Sequence, residues 1–435
     1  MHPMGVLDSL RAGRRNVLEL IPDLATHAPI LSGRTGRRWH MVMDPEALRH
    51  VLRDRVEDYP KSLVTKLMLQ PAIGDSLFVA EGAHWLWQRR AAAPVFSHRN
   101  VAALAPVMTA AALRAVDRVA TQTGRAVDLH AEMVAATFEV IADVTLSGGA
   151  MLDRGALHRA IDRYIAGAAR LSLLDLLGMP AWVPRPGRMV ASPQLRQMKA
   201  AADEAITARR GAPQSPPDLL DLLLEAADPE TGRLMTTAEL RDNLLTFIVA
   251  GHETTALTLA WATYLCAFDQ KVQDAARAEA QAALGGRAAE AADVPRLPLI
   301  RAIIEETLRL YPPAAMLSRT ARTADRLLGR EVRAGDTVIL PIYALHRHHA
   351  LWDDPDAFRP ARFLDIRPDR YAFLPFGDGP RICIGANFAL QEAVIILATL
   401  LQRFRLTPVP GCDPTPVMIL TLRPKGGVWL MADPV

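Results

Sequence analysis

The sequence predicts a mainly α-helical protein with small β-sheets, folded as a single large domain over residues 1–435. Three observations carry that prediction. From Thr236 to Phe268 the chain is apolar on nearly every face and opens with Thr236 and Glu239 at capping-box spacing, so it reads as one core helix of roughly 45–50 Å. Strand-like alternation is confined to short stretches near the two ends. No repeat or low-complexity tract divides the chain, and half of its 435 residues are hydrophobic, enough to bury a large core.

Taken in order, Trp39–Met43 reads as a strand, followed by Asp44-Pro45 and a helix from near Glu46. Residues 84–147 and 153–178 have helical texture. The three prolines of 178–187 break that regularity, and because helical composition resumes on both sides the segment is read as a surface loop. After the long helix, helical patterns continue through 270–285 and 297–310, and Pro312-Pro313 ends them. Val332–Leu340 reads as a hairpin, 350–375 as coil, the stretch after Cys383 as a helix, and 404–434 as strands.

Composition narrows the function. Fifty Lys and Arg against forty-seven Asp and Glu leave +3, with no basic tail, which argues against nucleic-acid binding. There is no secretory leader pattern, and no apolar run reaches the ~18 residues of a membrane span, so an intracellular soluble enzyme is expected. Three cysteines, Cys266, Cys383 and Cys412, are too few for a disulfide framework.

The window Phe376–Gly385 (FGDGPRICIG) is the most informative. Two glycines permit a tight turn, and Cys383 then stands just before a helix, where amide dipoles and Arg381 favour a thiolate. A buried structural cysteine is one reading. A nucleophile is another, although it needs a histidine base that is not near in sequence. A dinucleotide loop needs a third glycine at 382, where isoleucine stands. One thiolate cannot hold structural zinc alone, but it can be the proximal ligand of haem iron, whose porphyrin supplies four donors.

Phe-Gly-x-Gly-x-Arg-x-Cys-x-Gly resembles the haem-binding signature of the haem-thiolate monooxygenases, the cytochromes P450, in a soluble bacterial-type form. The resemblance implies the fold of that family, with the long central helix crossing over the haem. It implies that Cys383 ligates the iron, that Phe376 packs near the sulfur, and that Arg381 reaches a haem propionate. Ala250-Gly-His-Glu-Thr-Thr255 is similar to the family's oxygen-binding motif. Gly251 and two threonines are costly choices inside a core helix, so a local distortion beside a ligand is expected there. Carried over, Thr254 is the hydrogen-bonding hydroxyl and Glu253 the proton-delivering carboxyl of oxygen activation.

Glu306-x-x-Arg309 with Pro360-Ala-Arg362-Phe363 matches the family's structural charge triad, implying a role in fold integrity. Trp85 and Arg89 share a helix face and look like the family's propionate-binding pair, and Arg319 matches a further propionate-binding arginine. Arg90 and His84 are expected to face solvent or the redox partner, with Arg89 and Arg90 complementing an acidic protein. His346-Arg-His-His349 suits a turn rather than a metal site.

The implied cofactor is haem b, with NAD(P)H acting only through a reductase. The implied partner is a ferredoxin or flavodoxin with that reductase, because the chain has no room for a fused reductase and no membrane anchor. A cytoplasmic monomer is expected. Peroxide-driven or redox-neutral enzymes of the same fold commonly lack the acid–alcohol pair, and a haem sensor or carrier does not need it, so Glu253-Thr254 favours monooxygenation. The expected pocket segments, Leu67–Val79, the surroundings of Phe247 and Ala250, Pro313–Leu317 and Val417–Leu420, are apolar and point to a hydrophobic substrate such as a fatty acid, terpene, steroid or alkylaromatic.

Overall fold

A computed structural model describes residues 6–145, 155, 159–160, 192–365 and 367–435. The helices that place the site are α1 (Leu63–Ile73), α2 (Gly82–Ala92), α3 (Ala105–Ala120), α4 (Leu129–Thr145), α5 (Thr237–Phe268), α6 (Pro298–Leu310) and α7 (Ala386–Leu401). Helix α5 has 32 residues, and its start is the expected reciprocal cap: Glu239 N donates to Thr236 Oγ1 and Thr236 N to the Glu239 carboxylate. It packs against α4, α6 and α7 and is buried along most of its length. An all-round apolar helix has no face to give to water, which is why this one forms the axis of the molecule.

The strands are β1 (Ile30–Thr35), β2 (Arg37–Val42), β3 (Ala126–Asp128), β4 (Leu317–Thr320), β5 (Thr337–Leu340), β6 (Phe404–Pro408), β7 (Thr415–Met418), β8 (Leu422–Lys425) and β9 (Trp429–Pro434). They form a sheet β1-β2-β5-β4, a sheet β3-β9-β6 and the hairpin β7-β8; a further small hairpin pairs Asp325–Leu327 with Arg330–Val332. The mainly helical class and the four tail strands agree with the sequence reading. Val332–Leu340 does not form a hairpin on itself. Val332 pairs with Asp325, whereas β5 runs parallel to β2 with Met41 opposite Ile339. The turn at Gly335, with φ at +89°, hands the chain from one sheet to another. The expected helix 153–178 and loop 178–187 lie almost entirely outside the described residues.

Two hydrophobic clusters make most of the core. One surrounds α5 and α7; the other lies under the four-stranded sheet and includes Leu48, Val338, Leu345 and Leu374. The Cys383 loop sits on the seam between them: Leu374 belongs to the second cluster, while Phe376 and Ile384 pack on the first.

Candidate active site

The cysteine loop is held by its own backbone. Cys383 N donates to Phe376 O at 2.9 Å, and Gly377 and Gly379 have φ of +68° and +73°. A Cβ on Gly379 would lie 2.1 Å from the carbonyl oxygen of Leu52, so only glycine fits. Cys383 has accessible surface, yet its thiol is pushed above the usual range by burial. Both statements hold because that surface lies inside a cavity. A hydrogen bond involving the Gly385 backbone, then Arg89 and Lys61, act in the opposite direction. A buried thiol of this kind becomes a thiolate when a metal cation binds it.

The cavity has a volume of about 1840 Å³ and places α5 among the walls it shares with Cys383. Thr254 lines it, and Thr254 Oγ1 donates to Ala250 O at 2.8 Å. The helix runs unbroken through 250–255, and the threonine hydroxyl bonds back one turn, a contact that commonly bends a helix locally. A Cβ on Gly251 would meet Ile141 Cδ1 at 3.4 Å, an ordinary contact, so packing does not by itself demand glycine there. Glu253 is buried at the cavity edge and accepts from Thr421 Oγ1 at 2.7 Å and Arg423 Nε at 2.6 Å. These two partners had no signal in the sequence.

Cations converge on the same cavity. Arg319 is buried, its Nε has no hydrogen-bond partner, and burial followed by the nearby Arg381 lowers its pKa to about 10. Arg381 donates to Ala80 O at 3.0 Å, contacts the Glu81 carboxylate, and lies 4.5 Å above the Trp85 ring. Arg89 lines the same cavity and is lowered by burial. Trp85 thus stacks under Arg381 while Arg89 reaches toward Cys383; the structure does not show them as a paired clamp. Lys61, which sequence reasoning missed, joins this group beside Arg319 across an isolated β-bridge. Burial, then Arg319 and Arg381, push it well below the usual lysine range. Four cationic side chains therefore face one enclosed space, with Glu81 as the carboxylate that opposes them. Such an arrangement calls for an anionic ligand. A metalloporphyrin would be held by the Cys383 thiol through its metal and by the cations through its two carboxylates, so the residues present suit a haem.

Behind the loop, Glu306 and Arg309 are fully buried and bonded twice, at 2.7 and 2.8 Å. Arg362 Nε reaches Glu306 at 3.3 Å, and the Arg359 amide donates to it at 2.8 Å. Arg309 completes its five donors on the carbonyls of His346, Pro355 and Ala357. The histidines of 346–349 diverge: His346 lies in this network, His348 accepts the Ala350 amide, and His349 stacks on His27. Glu392 on α7, also missed, is buried and pushed well above the carboxylate range, with Thr255 as its hydrogen-bonding partner.

Arg90 and His84, expected to face solvent or the redox partner, also have partners within the protein. Arg90 is not a free surface charge, because Nε and Nη2 bind the fully buried Asp228 at 2.8 Å each and Nη1 binds Glu230 at 2.7 Å. His84 accepts from Trp87 Nε1 at 3.3 Å and bonds Gln88 Nε2 at 2.9 Å, so it is a packing group of α2. Both side chains keep part of their surface in solvent, Arg90 at 24% exposure, while Arg89 lines the cavity. All four expected pocket segments do contribute to the cavity wall, joined by Val17–Leu24 and the β1-β2 hairpin.

The family model for cytochrome P450 matches residues 25–431. The chain is 34% identical to cyclooctat-9-en-7-ol 5-monooxygenase of Streptomyces melanosporofaciens, over 91% of this chain and 86% of that protein. It is 29% identical to a cytokinin hydroxylase of Arabidopsis thaliana, over 96% and 84%. The crystal structure of the cytochrome P450DA heme domain superposes with a TM-score of 0.83 at 27% identity, covering 99% of this chain and 93% of that one. A match of this extent, on a fold that encloses a cysteine, an acid–alcohol pair and a cation cradle in one cavity, leads to one conclusion: the chain belongs to the cytochrome P450 family of haem-thiolate monooxygenases.

Proposed function

We propose that residues 1–435 form one haem domain in which Cys383 is the proximal ligand of haem b and Phe376 packs beside the sulfur. Arg89, Arg319, Arg381 and Lys61, with Trp85 beneath Arg381, hold the propionates. The observation that carries this reading is one cavity lined by Cys383 and by residues of α5, on which Lys61, Arg89, Arg319 and Arg381 also converge with Glu81 as the carboxylate beside them. When bound, the haem supplies reductive activation of O₂ and insertion of one oxygen atom into the substrate, the other leaving as water.

The chain's own residues do the rest. The single proton of Thr254 Oγ1 is committed to Ala250 O, so the oxygen presents lone pairs to the cavity and accepts hydrogen bonds there. Glu253 Oε1 is occupied by Thr421 and Arg423, which leaves Oε2 as the atom able to pass a proton inward. Apolar walls from Phe247, Ala314, Met316 and Leu420 exclude water and bind a hydrophobic molecule.

The protein is read as a cytoplasmic monomer; among the described residues no helix is long and apolar enough to cross a membrane. Electrons come from NAD(P)H through a separate reductase with a ferredoxin or flavodoxin. The cavity exceeds the roughly 300–1,000 Å³ of an ordinary ligand pocket, leaving room for haem and a sizeable substrate. The name of the Streptomyces relative specifies a cyclic unsaturated alcohol, and of the expected classes we place a cyclic terpene alcohol ahead of a fatty acid, steroid or alkylaromatic.

The test is a titration of the ferric holoprotein with cyclic diterpene alcohols, fatty acids, steroids and alkylbenzenes. The terpenoid alcohols are expected to give the largest low-spin to high-spin Soret shift; a shift confined to another class overturns the substrate reading. A Cys383→Ala protein whose ferric spectrum matched the parent's would overturn the ligand assignment itself.

A further inference from the structure

Glu253 is held in place from outside its own helix. The hairpin β7-β8 packs on α5, and Thr421 from its turn and Arg423 from β8 bring donors to one carboxylate oxygen. Thr421 Oγ1 donates to Glu253 Oε1 at 2.7 Å, Arg423 Nε donates to the same atom at 2.6 Å, and a second guanidinium nitrogen of Arg423 also contacts it. None of these bonds involves Oε2. Thr421 lines the cavity, whereas the Arg423 side chain is 34% exposed and is not part of the cavity wall. Glu253 therefore stands between the cavity and a partly solvated cation.

The hairpin has its own anchors. Leu422 N donates to Pro313 O at 3.0 Å, Leu422 O accepts from Trp261 Nε1 at 3.4 Å, and Leu422 pairs with Met418 in the β7-β8 register. None of these contacts uses the Arg423 guanidinium, so the hairpin has anchors independent of Glu253. A glutamate side chain on a helix has several rotatable bonds, and two donors converging on one oxygen select a single orientation.

We propose that Thr421 and Arg423 are positioning residues for the proton-delivering carboxyl, fixing Glu253 Oε1 so that Oε2 is the atom presented to the cavity. This rests on the reading of Glu253 given above. Misplacing a proton donor by a fraction of its hydrogen-bond reach removes much of its effect, so the consequence falls on coupling of electrons to product rather than on haem or substrate binding.

The experiment compares holoenzymes carrying Arg423→Ala, Arg423→Lys, Thr421→Val, Glu253→Gln and the double change Arg423→Ala/Glu253→Gln. Each is driven by NADH with a surrogate ferredoxin and its reductase. The probe is the panel compound that gives the parent its largest Soret shift. Product per NADH, peroxide per NADH and the solvent deuterium effect on turnover are measured, together with amide hydrogen exchange over 415–425 in the resting protein. Arg423→Ala is expected to lower product per NADH by about tenfold with a matching rise in peroxide and a larger solvent isotope effect. Arg423→Lys should recover most of the loss, and the double variant should be no worse than Glu253→Gln alone.

Exchange over 415–425 is expected to stay at the parent level. A hairpin that exchanges faster in Arg423→Ala makes the effect structural and overturns the proposal. So does parental coupling in Arg423→Ala alongside an uncoupled Glu253→Gln, an outcome that leaves the role of Glu253 standing. Parental coupling in Glu253→Gln instead removes that role, and the positioning inference falls with it.

Discussion

His346 Nε2 accepts the backbone amide of Leu374 at 2.9 Å, nine residues before Cys383. Its Nδ1 lies 3.2 Å from Arg309 O and carries the proton, and its own carbonyl accepts from Arg309. One neutral imidazole thus joins the buried Glu306–Arg309 pair to the strand of chain that leads into the cysteine loop. Burial, with Arg309 adding to it, lowers the His346 pKa from 6.5 to about 3. The folded pKa lies below the unfolded one, so the unfolded chain takes the proton first. The contribution is complete above pH 6.5 and is lost as pH falls toward 3, by up to about 1.4 kcal/mol per pH unit. Denaturation midpoints of the parent and His346→Gln, compared at neutral and mildly acidic pH, should converge as the pH is lowered. A gap that stays constant would contradict this role.

The cation cradle makes a prediction with two signs. Lys61 is repelled by Arg319 and Arg381 in an enclosed space, so Lys61→Met should stabilise the haem-free protein. The same change removes a charge-assisted contact worth about 1.5–3 kcal/mol from the proposed propionate site, so haem should leave about 10–100-fold faster. Thermal melting of the apoprotein and transfer of haem to apomyoglobin read the two effects separately. Movement of both in the same direction would argue against propionate binding by Lys61.

Thr254 Oγ1 touches the cavity but carries no other part of the fold besides its bond to Ala250 O. Thr254→Ala should therefore retain the haem and the substrate-induced Soret shift. Its product per NADH should fall by about tenfold, with the missing electrons recovered as peroxide. Thr254→Ser keeps the hydroxyl and should stay close to the parent. Unchanged coupling in Thr254→Ala would remove the proposed role.

Glu306 has no exposed surface and is the carboxylate to which Arg309 and Arg362 both bond. Glu306→Gln leaves Arg309 buried with an incomplete set of acceptors, at a cost of about 3–5 kcal/mol. The expected result is a low yield of folded holoprotein and a urea midpoint shifted far below the parent's. A variant with parental stability and haem content would show that the network is redundant.

Legibility in the sequence followed distance along the chain. The cysteine loop and the Glu253-Thr254 pair were visible because each is contained within one short window. Glycines that must take positive φ, a cysteine ahead of a helix and hydroxyls inside an apolar helix are all local statements. Helix α5 was visible for the same reason, from its cap and its unbroken apolar surface. The hairpin expected at 332–340 failed because a strand's partner is a tertiary choice: β5 joins β2 from the far end of the chain.

The amino-acid order by itself determined the helical class, the central helix and the loop offering Cys383 as the candidate ligand, since backbone preference and side-chain periodicity act over a few residues. Only the folded chain decided which charges meet. It brought Arg423 to Glu253 across 170 positions, Arg90 to Asp228 across 138, and Lys61 to the side of Arg319. Coulomb and hydrogen-bond energies depend on separation in space and on burial, and no pattern along a single helix or strand records either.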